Sequence, residues 1–357
     1  VWIERLSNRI DAVKYLKALG VDGGGIQILA SKARYHLFYI RDLHVGAANI
    51  LKQDALSVGA DLAVPRGTVT ASSSRVDAIL IATHKQLAEL SRKERAQPFG
   101  LKELASELAL HAQGHRPGRM QIMGIVNAND DSFFEGSRFT GSAAVEAIET
   151  MIEEGADIID IGAVSSRPGS APVSEAEELA RLRPIVDAVY EQKLYEKARF
   201  SVDTYMPKVA EYTLRHGFDI INDITGLASD EVCRLCGEFD ATAVVMHMQG
   251  TPQTMQADPH YDNLFGEITA FFEERLEKAE RFGIEDVILD VGIGFGKTLE
   301  HNLKLIAHME HFLKLNRPLL IGASRKSMID RIIPTPTAER LPGTLAIHLK
   351  GVEHGAE

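Results

Sequence analysis

Residues 199–224 read RFSVDTYMPKVAEYTLRHGFDIINDI, two short apolar runs, RFSVD and DIINDI, separated by a stretch long enough for a helix. A strand buried on both faces reads as a continuous apolar run rather than an alternation, the mark of a parallel sheet covered by helices. The same rhythm extends in both directions. QIMGIVN, DIIDIGA, TAVVMHM, VILD and PLLIGAS join the first two runs, and helical segments such as SAAVEAIETMIEEGA and LFGEITAFFEERLEKAERFG alternate with them. Units of this kind, repeated over roughly 230 residues, fit a (β/α)8 TIM barrel better than an open doubly wound sheet. No G-x-G-x-x-G opens the first unit, which counts against a dinucleotide fold.

The Gly/Pro/Arg-rich stretch AQGHRPGRM (112–120) divides this region from what precedes it. Residues 1–112 read as a small α/β domain of unknown function, and 120–357 as the barrel. The expected elements of the first part are an amphipathic helix at VWIERLSNRIDAVKYLKALG, a mixed strand at IQILASKARYHLFYI and a helix at HVGAANILKQDALSV. A Ser-rich turn at ASSSR and a strand–helix pair at AILIATHKQLAELSRKERA complete it. Lys52, Asp54 and Arg66 read as a solvated face. The chain starts at Val1 rather than Met, which suggests a fragment or an alternative start codon.

The 357 residues are 45% hydrophobic and 25% charged, ordinary for a globular protein. A formal net charge of -11 argues against a nucleic-acid partner, which needs a basic face. No apolar run reaches the ~18 residues of a membrane span. Cys233 and Cys236 form a lone C-x-x-C inside a helix capped by Ser229 or Asp230, and read as small buried residues of a reduced, cytoplasmic protein.

VGIGFGKT (291–298) resembles a phosphate loop, but the P-loop pattern needs glycine where Val291 stands. The loop follows Asp290, one of several polar residues at the C-terminal ends of strands: Asn127, Asp160, Asp203, Asn222, His247 and Ser324 are the others. Carboxylates and amides gathered on one barrel rim suit a flat heterocycle bearing several ring N–H and C=O groups, and Lys326 adds a cation beside them.

Read together, MGIVNANDDSFFEGS, DIGAVSSRPGS, SVDTY, INDITG, VVMHMQGTPQTMQ, LDVGIGFGKTLEHN and PLLIGASRKSMI resemble the successive motifs of the dihydropteroate synthase family, in order, over residues 120–357. The resemblance implies an enzyme that joins 6-hydroxymethyl-7,8-dihydropterin diphosphate to 4-aminobenzoate and releases pyrophosphate. It implies a magnesium ion on Asn127, and a pterin site of Asp203, Asn222, Asp290 and Lys326 with Met246 packed on the ring. Ser166, Arg167 and Pro168 match a second loop that closes over the acceptor amine and leaving group. Gly294, Phe295 and Ser324 match the aminobenzoate side. Glu135, Arg167 and Lys326 are the residues implied in catalysis. A homodimer without nucleic-acid or membrane partners is expected.

Three departures stand out. NANDDSFFE (127–135) has Glu135 where the family places Asp, and lacks its Pro; Ala163-Val164-Ser165-Ser166 replaces Gly-Glu-Ser-Thr. The family continues beyond the position of Ala356 with a last strand bearing Arg and His, so the chain is expected to be truncated, poorly stable and nearly inactive, with strands one and seven facing a gap. A pterin-binding methyltetrahydrofolate methyltransferase and a non-catalytic pterin-binding protein are the alternative readings.

Overall fold

A computed structural model describes residues 3, 6, 11–128, 142–164 and 173–357. The chain forms two compact units, Val1–Gly114 and His115–Glu357.

The first unit contains α1 (Ala12–Ala18), α2 (Gly23–Ala30), β1 (Tyr35–His44), α3 (Val45–Ser57), β2 (Asp61–Ala63), β3 (Arg75–Thr83), α4 (His84–Lys93) and α5 (Leu101–Gln113). Its antiparallel sheet has the order β1-β3-β2. Leu51, Leu80, Leu87, Leu90 and Leu101 form its core. Two expectations need correction. The mixed strand expected over residues 26–40 is split: α2 takes its first part, because the Asp22 carboxylate accepts from Gly24 N–H and caps a helix there. Of the helix expected from Val1, residues 1–2, 4–5 and 7–10 lie outside the described residues; its described part is α1, where Asp11 accepts from Lys14 N–H. Asp54 is not simply solvated, since Lys93 Nζ lies 2.9 Å from it.

The second unit contains β4 (Met123–Asn127), α6 (Ser142–Glu153), β5 (Ile158–Gly162), α7 (Glu175–Glu191), β6 (Arg199–Asp203), α8 (Pro207–Leu214), β7 (Ile220–Asp223) and α9 (Asp230–Glu238). It continues with β8 (Thr242–Met246), α10 (Leu264–Arg281), β9 (Val287–Asp290), α11 (Leu299–Ala307), β10 (Leu319–Leu320), α12 (Ser327–Ile332) and α13 (Leu341–Glu353). The seven strands lie in strict sequential order, β4 to β10, each parallel to the next. A doubly wound sheet reverses its order at a switch point. This one does not, so it is a barrel wall.

β4 and β10 are the two outer strands of the described sheet, in line with the expected gap, and one bridge flanks β10. Ala356 pairs with Leu319 in a parallel bridge, and Glu357 N–H donates to the Leu319 carbonyl at 3.0 Å. The Glu357 carboxylate also meets Gly118 N–H and the His115 ring.

Side-chain alternation divides the barrel into two cores. Ile159, Ile161, Phe200, Val202, Ile221, Ala243, Val245 and Leu289 face the helices. Ile158, Ile220 and Val244, with Met123, Ile288 and Leu320, fill the inside. With a period of two, the next inward positions toward the C-terminal rim are Asp160, Asn222, Met246 and Asp290. The apolar plug is the floor on which the polar site stands.

Candidate active site

Asp160 and Ser201 are paired across β5 and β6, and Asp203 is paired with both Gly162 and Asn222. Ser201 Oγ donates to Asp160 Oδ1 at 2.6 Å, and Asn222 Nδ2 donates to Asp160 Oδ2 at 3.2 Å. A Cβ on Gly162 would stand 3.3 Å from the Asp203 Cβ, so the glycine leaves room for that carboxylate. Asp203 is held well above the usual carboxylate range, first by burial and then by Asp160, Glu178 and Asp223, while Lys326 acts in the opposite sense.

Across the rim, Asp290 Oδ1 accepts from Gly292 N–H at 2.8 Å. Burial raises its carboxyl too, opposed by that hydrogen bond, Lys326 and Lys297. Lys326, just after β10, answers both acids. Burial lowers its ammonium to about 8, while Asp290 and Asp203 pull it back up. Its Nζ sits 3.9 Å from the centre of the Phe295 ring, a cation–π contact. Phe295, Met246, Ile224 and Met255 form one buried apolar group, joined by Tyr205 and Met248. The site therefore has a polar half of two carboxylates, an amide and an ammonium, beside an apolar half of two aromatic rings and several thioethers.

The loop GIGFG is shaped for close approach. Gly292 has φ +67°, and a Cβ there would fall 2.0 Å from the His247 carbonyl oxygen; Gly296, at φ +61°, would meet Gln249 backbone at 2.7 Å. Only glycine fits either position. Gly294 donates to Asn302 Oδ1 at 2.8 Å, and its carbonyl accepts from Gln256 Nε2 at 2.7 Å. Lys297 is spent within the protein: the residue is 1% exposed, and its Nζ is 3.0 Å from His247 Nδ1, 3.2 Å from the His247 carbonyl and 2.8 Å from the Phe295 carbonyl. Burial lowers that ammonium to about 7 and, with Lys297 beside it, the His247 imidazole to about 2.

The structure thus gathers Asp203, Asn222, Met246, Asp290, Gly294, Phe295 and Lys326 at one rim. Asn127 ends β4 on the same rim, and half-buried Ser324 precedes Lys326 by two residues. Glu135, Ser166, Arg167 and Pro168 lie outside the described residues. His247, one of the strand-tip polar groups, is engaged with Lys297. Asp223 is spent on its own loop, accepting from Thr225 N–H, the Thr225 hydroxyl and Leu227 N–H. Sequence reasoning counted Asp160 among the strand-end polar groups without a role of its own and gave Lys297 none, although strand period and the apolar setting of GFGK mark both as inward or buried. Cys233 and Cys236 are buried free thiols on α9, raised by burial, Cys236 to about 12. That chemistry is inert.

The family model for pterin binding enzymes matches residues 123–357. A bifunctional dihydropteroate synthase/dihydropteroate reductase of Helicobacter pylori is 44% identical over 347 residues, 97% of this chain and 91% of that protein. The crystal structure of Yersinia pestis dihydropteroate synthase with a sulfonamide drug complex superposes with a TM-score of 0.64 at 36% identity, covering 67% of this chain and 87% of that one. Dihydropteroate synthase of Thermus thermophilus in complex with 4-aminobenzoate gives a TM-score of 0.59 at 38% identity, covering 67% and 86%.

Proposed function

The chain belongs to the pterin-binding enzyme family as a dihydropteroate synthase, and from that premise we propose how its residues share the reaction. The reaction joins 6-hydroxymethyl-7,8-dihydropterin diphosphate to 4-aminobenzoate, forming 7,8-dihydropteroate and pyrophosphate. The bond between the pterin methylene and the diphosphate oxygen breaks, and the diphosphate leaves with the electron pair. A C–N bond forms to the arylamine, which sheds a proton.

Asp203 and Asp290 accept from ring N–H and amino groups, Asn222 adds an amide, and Lys326 donates to a ring acceptor. Met246 covers a face of the ring, and Phe295, Gly294 and Ser324 line the approach of the arylamine. By the family resemblance, Arg167, Ser166 and Pro168 would serve the leaving group, and Glu135 would supply negative charge that favours the positive charge developing at the pterin methylene. The observation that carries this reading is Lys326 facing two burial-raised carboxylates and an aromatic ring at once. Turnover with both substrates tests it: dihydropteroate and pyrophosphate should appear in equal amounts. Methyl transfer from methyltetrahydrofolate without pyrophosphate release would instead favour the methyltransferase reading.

Magnesium fits Asn127. An amide oxygen is a hard ligand of the kind such a cation takes. Such an ion uses few protein ligands and takes the rest from phosphate and water. It would supply charge neutralisation to the leaving diphosphate. Chelation should abolish turnover, and added magnesium should restore it.

A homodimer is supported by α13, which leaves Leu341, Leu345 and Leu349 50–65% exposed on one stripe. Light scattering at twice the chain mass, reduced by Leu345→Glu, is expected. A reducing, cytoplasmic setting agrees with the two free thiols. No helix among the described residues is long and apolar enough to cross a membrane.

A second activity is favoured by one observation: the likeness to the bifunctional protein spans 97% of this chain and so reaches into Val1–Gly114. We propose that the chain also reduces dihydropteroate to tetrahydropteroate, taking a hydride from a reduced nicotinamide or flavin and a proton from water. Oxidation of the donor that depends on added dihydropteroate tests this; no dihydropteroate-dependent oxidation with either donor class would refute it.

A further inference from the structure

We infer that Asp160 is a positioning residue for the pterin site: its carboxylate fixes which end of the Asn222 amide is offered to the ring. The inference rests on the reading of Asn222 as a pterin contact. Asn222 can present either a donor or an acceptor, and the two ends of an amide have nearly the same shape. Something must choose between them. Asp160 is 6% exposed and reaches from β5 past β6 to β7, where its Oδ2 accepts from Asn222 Nδ2 at 3.2 Å. An ionised carboxylate only accepts, so the amide end toward it is the nitrogen. The amide oxygen is then the end turned away from Asp160, available to ring donors.

Asp160 is itself held. The Ser201 hydroxyl donates to its other oxygen at 2.6 Å, and Ser201 is its direct neighbour on β6. Burial raises the Asp160 carboxyl, while the bonds from Ser201 and Asn222 favour the anion. Thus the chain Ser201–Asp160–Asn222 crosses three strands, with Ser201 and Asp160 two residues before the paired Asp203 and Gly162, and Asn222 level with Asp203. A buried network in which every oxygen has a donor is rigid, and rigidity is what an orienting group needs.

The consequence is specificity for hydrogen-bond pattern. The pterin carries a 2-amino donor; an analogue with a 2-oxo group in its place carries an acceptor on the same frame. In Asp160→Asn the partner of Asn222 can itself turn, so both amide orientations become compatible with a hydrogen bond. Affinity for 6-hydroxymethyl-7,8-dihydropterin diphosphate and for its 2-oxo analogue is to be measured by calorimetry in the unmutated chain, Asp160→Asn and Asn222→Ala. The unmutated chain should prefer the pterin by about 100-fold or more, and Asp160→Asn should lower that preference at least ~10-fold. A preference unchanged in Asp160→Asn, whether both affinities hold or both fall together, overturns the inference. Unaltered pterin affinity in Asn222→Ala would instead sink the pocket reading. If Asp160→Asn lacks a cooperative thermal transition, Ser201→Ala, which loosens Asp160 at constant charge, is read in its place: a ~3-fold drop in preference is expected, and no drop overturns the inference.

Discussion

Lys326 Nζ lies 3.9 Å over the Phe295 ring while its charge is felt by both Asp203 and Asp290. One cation thus joins the two halves of the site. Lys326→Met leaves Asp203 without its counter-charge, Asp290 with Lys297 alone, and the ring without its cation. Affinity for the pterin diphosphate should fall at least ~100-fold, since a buried group stripped of its partner costs about 1–3 kcal/mol and more when charged. Calorimetry at neutral pH checks this, and Lys326→Arg should recover part of the loss by keeping the charge.

The pH dependence follows from the same groups. Lys326 is a cation below about 8 and loses its proton as pH rises through that value, so pterin affinity of the free protein should fall on the alkaline side near 8. On the acid side, Asp203 and Asp290 have raised carboxyls, so they lose acceptor capacity earlier than exposed acids do as pH falls. Lys326→Arg should remove the alkaline limb and leave the acid one. An alkaline limb unmoved by that substitution would point to another group.

Asp203 should also show a conflict between stability and function. Its folded carboxyl titrates above its unfolded value, so the folded state binds more protons in that interval and stability declines as pH rises through it. Asp203→Asn mimics the protonated form at every pH. We expect it to raise the melting temperature of the ligand-free protein at pH 7 by about 2–6 °C, a gain of about 1–2 kcal/mol, while abolishing detectable pterin binding. Differential scanning calorimetry with and without ligand reads both effects.

Lys297 holds two loops together. Lys297→Met removes the donor shared by the His247 and Phe295 carbonyls and should destabilise the protein by about 2–4 kcal/mol, as two buried acceptors lose their partner. Because Phe295 is one of those anchors, KM for 4-aminobenzoate should rise more than KM for the pterin. Urea unfolding and steady-state kinetics test the two parts separately.

The barrel was legible because buried parallel strands write themselves as apolar runs, and DIIDIGA and VILD need no context to be read. The rim residues were legible for a related reason: Asp203, Asn222 and Asp290 are polar groups at the ends of such runs. Asp160 was harder to assign, since a carboxylate in mid-strand gains meaning only when Ser201 and Asn222 are seen beside it. In the first unit, IQILA reads like a strand, and the Asp22 cap turns it into α2 despite the glycines of its first turn. α5 (LKELASELALHAQ) has a clear helical period yet no chemical landmark, and β2 is three residues long with Leu62 alone buried. Such elements are fixed by their neighbours rather than by their own pattern.

The central claim is that Asp203, Asn222, Asp290 and Lys326 form the pterin site of a dihydropteroate synthase. Its most direct test is a calorimetric titration of the chain, and of Asp203→Ala and Asp290→Ala, with 6-hydroxymethyl-7,8-dihydropterin diphosphate and magnesium. The unmutated protein should bind one equivalent per chain, and each substitution should weaken binding at least ~100-fold, because ring donors would then face an empty buried site. Near-equal affinity in all three proteins would contradict the account.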